Sequence, residues 1–97
     1  MELIYHREAR EELEEAIAYY EEQCEGLGAA LQNEVIAAEH RIELAPERWV
    51  AFHPPFRRVL LNRFPYSVIY AIQKDYIFIV AVAHHRRQQG YWLDRMK

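Results

Sequence analysis

Two stretches of the N-terminal half carry apolar residues at helical spacing. The first, from about residue 7 to 24, is rich in Glu and Ala, which are good helix formers. Its apolar positions share one helical face and are Leu13, Ala16, Ile17 and Tyr20. The second, from about residue 27 to 44, has the stripe Leu31, Val35, Ala38, Ile42 and Ala45. Gly26 and Gly28 interrupt the pattern and Pro46 ends it, so we expect an antiparallel helical hairpin.

The apolar segments outside the helices are short and rich in β-branched and aromatic residues, which is typical of strands. The predicted strands cover residues 3–5, 59–61, 66–72 and 76–83. The polar residues 73–75 join the last two strands, which should therefore form an antiparallel hairpin. Residues 46–56 combine three prolines with Trp49 and Phe52, a composition that favours a loop with aromatic anchors.

These elements predict an α+β fold in one domain spanning residues 1–97. It would consist of an N-terminal strand, an antiparallel helical hairpin packed on one face of an antiparallel sheet, and a short C-terminal segment. Both faces of the last hairpin are apolar, because strict alternation would place Val80 and Val82 on one side and Ala81 and Ala83 on the other. The helices can cover only one face, so the other requires the C-terminal segment, a second copy of the chain in a homodimer, or a partner protein.

The composition excludes several protein classes. A chain of 97 residues with 52% hydrophobic residues and a net charge of −3 can bury a real core, which excludes a disordered chain. There is no apolar run of membrane-spanning length, and the N-terminus does not resemble a signal peptide. The one cysteine, Cys24, cannot form an internal disulfide, so we expect a reducing, cytoplasmic location without membrane contact.

Charge divides the chain into an acidic front and a basic back. Residues 1–45 carry twelve glutamates against three arginines, and residues 46–97 carry nine arginines and lysines against three acidic residues. The glutamates are expected to form a solvated helix face. The basic back, which is also aromatic, could present a positive surface to nucleic acid although the overall pI is near 5.9.

The C-terminal run from Ala83 to Arg95 is the most informative part of the sequence for chemistry. His84 and His85 are adjacent, so in a strand they would point to opposite faces, and the neighbouring arginines would repel a cation. We therefore expect no metal site and no cofactor. Ser67 is the only serine and lies within a predicted strand, which argues against a Ser-His-Asp triad, and three glycines cannot build a phosphate-binding loop.

A basic and aromatic cluster remains, and metal-free RNA cleavage needs groups of this kind. Histidine can act as acid or base near neutral pH, arginine holds phosphate oxygens, and tyrosine can stack on a base or donate a proton. The same cluster is equally typical of a basic rim that aids solubility or pairs with the protein's own glutamates. Its members are Arg57, Arg58, Arg63, His84, His85, Arg86, Arg87, Tyr91 and Arg95.

The chain resembles the RelE/ParE family of small toxins from bacterial toxin–antitoxin systems. The order of strand, helical hairpin and sheet is similar, and so are the stretches Arg63–Tyr70 and Ile79–Arg87 and the Tyr91-Trp92 pair. The resemblance implies a toxin that a cognate antitoxin neutralises by wrapping around it. RelE-like members are ribosome-dependent mRNA endoribonucleases, whereas ParE-like members bind and inhibit DNA gyrase and are not nucleases.

The resemblance also implies site residues. For a nuclease these would be His85 or His84, with Arg63, Arg87 and Tyr91, but Ser67 stands where nuclease members often have an arginine. The Phe-Pro-Tyr stretch and the C-terminal ending favour the ParE-like, plasmid-stabilisation branch, acting on gyrase. The alternatives are a RelE-like endoribonuclease and an inactive relative that only binds its antitoxin. The expected antitoxin contacts are Val68, Tyr70, Ile79, Ala81, Tyr91 and Trp92.

Overall fold

The computed structural model describes residues 1–96 and places two helices on a five-stranded sheet. The strand order is β1-β5-β4-β3-β2, with β1 parallel to β5 and every other neighbouring pair antiparallel. The α+β class is confirmed, and the parallel β1–β5 pair makes the sheet mixed. The elements in chain order are β1 Glu2–Tyr5, α1 Arg7–Gln23, α2 Leu27–Leu44, β2 Ala51–His53, β3 Phe56–Leu60, β4 Tyr66–Ile72, β5 Tyr76–His84 and a 3-10 turn Leu93–Met96.

The helical hairpin is confirmed, and two glycines make its tight connection possible. Gly26 lies at φ +88°, a left-handed conformation that glycine adopts without strain. A Cβ on Gly28 would lie 2.7 Å from the carbonyl oxygen of Ile17, so the two helices approach too closely there for a side chain. The Glu21 carboxylate accepts hydrogen bonds from the backbone N–H groups of both glycines and so satisfies donors at the start of α2.

The helices bury their apolar stripes against one face of the sheet. On α1 the buried residues are Ala9, Leu13 and Ala16, and on α2 they include Leu31, Val35, Ala38 and Ile42. The sheet contributes the side chains of β4 and β5 that face the helices, among which Val68, Tyr70, Ile77, Ile79 and Val82 are almost completely buried. The buried positions of the two helices thus match the helical stripes that the sequence predicted, with Ile17 and Tyr20 partly buried against the same core.

The prediction of a loop over residues 46–56 is wrong in its second half. Residues 51–53 form β2, which turns at Pro54-Pro55 and pairs with β3, whose first residue is Phe56. A three-residue strand is too short for an apolar alternation to be recognised, and the two prolines that follow it are typical of a loop. The Arg57 guanidinium supports the preceding segment by donating a hydrogen bond of 2.6 Å to the carbonyl oxygen of Trp49.

A β-bulge in β5 breaks the alternation that was predicted for this strand. Tyr70 pairs with Ile79 and Ile69 pairs with Ala81, so Val80 is an extra residue on β5. Val80 and Ala81 therefore both face away from the helices, and Val82 joins the helix-side core. The expectation that Val80 and Val82 share one face is thus incorrect, because the bulge shifts the phase of every residue after it.

The second face of the sheet is covered by the C-terminal segment, which we define as residues 90–96. Trp92 is only 2% exposed and packs among side chains of β3, β4 and β5. Its ring centroid lies 4.7 Å from that of Phe56 and 5.6 Å from that of Phe52. Of the three possible covers for this face, the chain itself supplies one. Within residues 1–96, neither helix is long and apolar enough to cross a bilayer.

Candidate functional site

A concave site, which we call the terminal pocket, lies on the second face of the sheet where β5 ends. Its cavity volume is about 170 Å³. Arg58 of β3 and Ser67 of β4 line it from the sheet, His85 and Arg87 line it from the turn after β5, and Trp92 lines it from the C-terminal segment. Because strands β3 and β4 and the buried Trp92 indole hold the lining side chains in place, the pocket is preformed.

The two histidines at the end of β5 contact different residues of β4. His85 is exposed and its Nε2 lies 3.0 Å from the Ser67 hydroxyl, inside the terminal pocket. The His84 ring packs edge-on against Tyr66, with 5.0 Å between the ring centroids. His84 Nδ1 accepts a hydrogen bond of 3.0 Å from the backbone N–H of Arg86, which requires that nitrogen to be unprotonated. Burial, followed by the charges of Arg86 and His85, lowers the pKa of His84.

Beside the pocket, one carboxylate gathers the polar groups of the C-terminal segment. Glu12 of α1 accepts a hydrogen bond of 2.8 Å from the Tyr91 hydroxyl and bonds of 2.9 and 3.1 Å from the two terminal nitrogens of Arg95. The Arg87 guanidinium lies 3.7 Å from the same carboxylate and 3.7 Å from the centre of the Tyr91 ring. Glu12 and these three partners form what we call the Glu12 cluster.

The Glu12 cluster shifts the pKa of two of its members, Tyr91 and Arg95. Burial raises the pKa of the Tyr91 phenol, and the hydrogen bond and negative charge of Glu12 raise it further. For Arg95, burial opposes the positive charge, but the hydrogen bond and charge of Glu12 outweigh it and raise the pKa of the guanidinium. Tyr91 is therefore a protonated hydrogen-bond donor to Glu12, and Arg95 a cation, across the physiological range.

The structure brings together four of the five residues that the sequence suggested for a nuclease. His84, His85, Arg87 and Tyr91 all line the terminal pocket. Arg63 lies elsewhere, in the turn before β4, where its backbone N–H donates to Glu34 and its guanidinium stacks over the Phe64 ring. The assignment of catalytic roles to these residues stays a prediction.

Two residues of the site were not singled out from the sequence. Arg58 was one of nine members of the basic cluster, and only the pairing of β3 with β4 places it beside Ser67. Glu12 was counted among the solvated glutamates of α1, yet its side chain is only 12% exposed. Its burial could have been suspected from the sequence, because Glu12 lies next to Leu13 and three residues after Ala9, at the margin of the apolar stripe.

The expected antitoxin contacts are divided between the two faces of the sheet. Val68, Tyr70 and Ile79 are completely buried in the helix-side core, and Ala81 and Trp92 are buried on the second face. A direct contact between these side chains and an antitoxin would require the helices or the C-terminal segment to move. Their role in antitoxin binding stays a prediction.

The surface that remains accessible around the terminal pocket is polar and positive. Residues 85–89 are all exposed and contain His85, Arg86 and Arg87, and we call this stretch the basic rim. Among residues 1–96, no group of three histidine, cysteine or acidic side chains is arranged to hold a metal ion. The exposed side chains of the basic rim can offer cationic and hydrogen-bonding groups to a ligand.

Comparisons with known proteins agree with this architecture. The family model described as "ParE toxin of type II toxin-antitoxin system, parDE" matches residues 3–89. A solved structure from P. aeruginosa, titled as a chromosomal ParDE TA system, superposes with a TM-score of 0.74 at 18% identity and covers 87% of this chain and 95% of its own. At that identity the superposition shows a shared fold.

A search of curated proteins finds no match. The family match spans most of the chain, including all five strands and both helices, and the chain therefore belongs to the ParE family of toxins from type II toxin–antitoxin systems.

Proposed function

We propose that this ParE-family toxin acts in the cytoplasm by binding and inhibiting DNA gyrase, and that a cognate antitoxin neutralises it. The observation that carries the choice of binding over cleavage is the Glu12 cluster. The Tyr91 hydroxyl and the Arg87 guanidinium, two groups that a nuclease would need, are engaged by a carboxylate of the same chain.

Metal-free RNA cleavage requires a base, an acid and cations placed around one phosphate. Burial, followed by the hydrogen bond and charge of Glu12, raises the pKa of Tyr91, which makes the phenol a poor proton donor near neutral pH. The Glu12 carboxylate also offsets the charge of Arg87 that would otherwise stabilise a pentavalent phosphorus. In addition, Ser67 stands in the terminal pocket where an arginine would provide a further cation.

The basic rim has the properties of a protein-binding surface. It is exposed, it follows a rigid strand, and it lies on a chain whose N-terminal half is acidic. Charges at the edge of an interface mainly steer association and select the partner, so the rim would favour an acidic patch on its target. Membership of a toxin–antitoxin family supports the antitoxin as the second partner.

A second candidate function is ribosome-dependent mRNA cleavage, and one observation favours it. His85 lies 3.0 Å from the Ser67 hydroxyl in a pocket that Arg58 also lines. In that reaction His85 would take the proton of a ribose 2′-hydroxyl while Arg58 held the phosphate oxygens. The Ser67 hydrogen bond would orient the imidazole.

The test compares the two activities directly with purified full-length toxin. One assay measures supercoiling by DNA gyrase, and the other measures cleavage of mRNA on translating ribosomes. We expect inhibition of gyrase and intact mRNA. Cleaved mRNA with normal supercoiling would overturn the gyrase proposal, and loss of that cleavage in His85→Ala would then assign the nuclease role to His85.

A charge substitution tests whether the basic rim carries the binding. In Arg86→Glu we expect the toxin concentration for half-inhibition of gyrase to rise by about tenfold, since reversing a rim charge replaces attraction by repulsion. Lys74→Glu is the matched control, because Lys74 is exposed in the turn between β4 and β5, at the opposite end of the strands. Equal effects of the two substitutions would contradict a role for the rim. A toxin that binds its antitoxin but neither inhibits gyrase nor arrests growth would be an inactive relative.

A further inference from the structure

We propose that Glu12, a residue of the acidic helical hairpin, is the positioning residue that holds the C-terminal segment and the basic rim in their binding conformation. This inference rests on the proposed function, because it assumes that the basic rim contacts the target. Glu12 itself would not touch the target. It would act through Arg87, Tyr91 and Arg95, which it joins to α1.

The first argument is that Glu12 completes an open edge of the sheet. Strand β1 pairs with β5 only as far as Ile79, so within residues 1–96 the rest of β5 has no neighbouring strand on that side. The Val82 N–H donates to Glu12 Oε1 at 3.0 Å, and the Val80 carbonyl oxygen accepts from Arg95 Nη1 at 3.0 Å. A neighbouring strand would offer an acceptor to the Val82 N–H and a donor to the Val80 carbonyl oxygen. The Glu12–Arg95 pair supplies the same two partners from side chains, and it protects the edge from pairing with another chain.

The second argument is that Glu12 is a shared partner for two side chains by which the C-terminal segment is attached to the rest of the fold. The backbone hydrogen bonds of the segment are local, with Leu93 N–H donating to Gly90 O and Arg95 N–H donating to Trp92 O. Contact with the sheet and helices therefore relies on side chains. Trp92, Leu93 and Met96 provide the apolar contact. Tyr91 and Arg95 provide polar contact through Glu12, and Arg95 also donates to the Val80 carbonyl oxygen and lies 3.7 Å from Glu8. Removing the charge of Glu12 weakens both attachments through Glu12 at once.

The third argument concerns the size of the effect. The side chains of Glu12 and Arg95 are only 12% and 10% exposed, so solvent screens their interaction weakly. Hydrogen bonds to charged groups are worth enough to change an equilibrium by about tenfold or more each. Glu12→Gln keeps the shape and an oxygen that can accept from Val82 N–H, and we expect it to raise the opening equilibrium of the segment by at least about tenfold. Glu12→Lys would repel Arg87 and Arg95 and leave the segment mostly open.

The experiment measures the segment and the activity in the same full-length proteins. Amide hydrogen exchange of residues 91–96 reports opening, and the emission maximum of the tryptophans reports exposure of Trp92. Inhibition of gyrase and growth arrest on expression report activity. Glu14→Lys is the matched control, since it makes the same charge change at an exposed position of the same helix.

We expect faster exchange in Glu12→Gln, and in Glu12→Lys both rapid exchange and at least a tenfold loss of gyrase inhibition relative to Glu14→Lys. Circular dichroism checks that the helices and sheet persist. If Glu12→Lys does not fold, Tyr91→Phe, which removes a single hydrogen bond to Glu12, takes its place with a smaller expected increase in exchange. A double-mutant cycle of Glu12→Gln with Tyr91→Phe should be non-additive, because both remove the same contact.

The possible failures are distinguishable. Unchanged exchange in Glu12→Gln overturns the positioning role even if gyrase is the target. Rapid exchange with activity equal to that of the control overturns the link between the segment and the target. If the wild-type toxin arrests growth without inhibiting gyrase, the gyrase proposal fails. In that case, weaker growth arrest by Glu12→Lys than by Glu14→Lys supports the inference, and equal growth arrest overturns it. A wild-type toxin that affects neither overturns both.

Discussion

Individual glutamates of α1 look alike in the sequence and differ sharply in the structure. Glu14 and Glu15 are exposed, as expected for a solvated face, whereas Glu12 lies largely buried beside Arg95. The partner of Glu12 is 83 residues away along the chain, so no local pattern contains the information. His84 packs against Tyr66 and His85 lies beside Ser67, and such different contacts could be predicted because successive side chains of an extended chain point in opposite directions. Contacts between distant side chains require the fold.

The histidine that ends β5 should titrate at an unusually low pH. We expect NMR titration to give His84 a pKa below the ordinary value of 6.5, because it is partly buried and Arg86 and His85 add nearby positive charge. Since the folded-state pKa is below the unfolded one, protonation favours the unfolded state. The contribution of neutral His84 to stability is therefore complete above the unfolded value and declines as the pH falls below it.

Substitution of the neighbouring cation checks the cause of this shift. Arg86→Ala should raise the pKa of His84, and unfolding in denaturant should return it to the ordinary value. Lys74→Ala removes a distant cation and should leave it unchanged. A His84 that titrates at or above 6.5 in the folded protein would contradict the hydrogen bond between its Nδ1 and the Arg86 backbone N–H.

At the level of elements, long amphipathic segments were predictable and short or uniformly apolar ones were not. The helical hairpin and strand β4 follow the predicted patterns closely. Strand β2 has three residues, too few to show a period. The bulge at Val80 was invisible for a different reason. Every residue around it is apolar, so the sequence does not indicate which face each side chain takes.

Close approach of the two helices makes Gly28 sensitive to substitution. In Gly28→Ala the added methyl group would lie 2.7 Å from the Ile17 carbonyl oxygen and 3.0 Å from the Glu21 Cβ. Alanine favours the helix by up to about 1 kcal/mol, but overpacking costs about 1–3 kcal/mol. We therefore expect a net loss of about 1–2 kcal/mol in the free energy of unfolding, measured by urea denaturation.

Asn33→Ala provides the comparison for this measurement. Asn33 is exposed on the same helix, so its replacement should change the free energy of unfolding by less than about 0.5 kcal/mol. If Gly28→Ala were as stable as Asn33→Ala, the helices would not be in the close contact that the Ile17 carbonyl indicates.

At the level of the whole molecule, the acidic and basic halves of the chain pair opposite charges around Glu12. Arg87 and Arg95 pair with Glu12, and Arg95 also lies 3.7 Å from Glu8. Part of the basic C-terminal ending therefore neutralises the chain's own glutamates, which was one of the two readings of the basic cluster. The other part, including Arg86, stays exposed in the basic rim. Composition could indicate the asymmetry of charge, but only the fold separates the internal pairs from the accessible cations.

The largest buried side chain on the second face of the sheet comes from the C-terminal segment. Trp92 is 2% exposed and fills the second face against Phe56, with Ile69, Ala81 and Ala83 in the same cluster. Truncation of a buried tryptophan to alanine costs about 3–5 kcal/mol, a large part of the roughly 5–15 kcal/mol that stabilises a domain. In Trp92→Ala we expect the free energy of unfolding, measured by urea denaturation, to fall by this amount, together with increased binding of a dye that detects exposed apolar surface.

Tyr19→Ala, at a position that is 55% exposed, should lower the free energy of unfolding by less than about 0.5 kcal/mol and bind no additional dye. A loss below about 1 kcal/mol in Trp92→Ala would mean that the indole does not seal the sheet, and the second face would then again require a partner or a second copy of the chain to cover it.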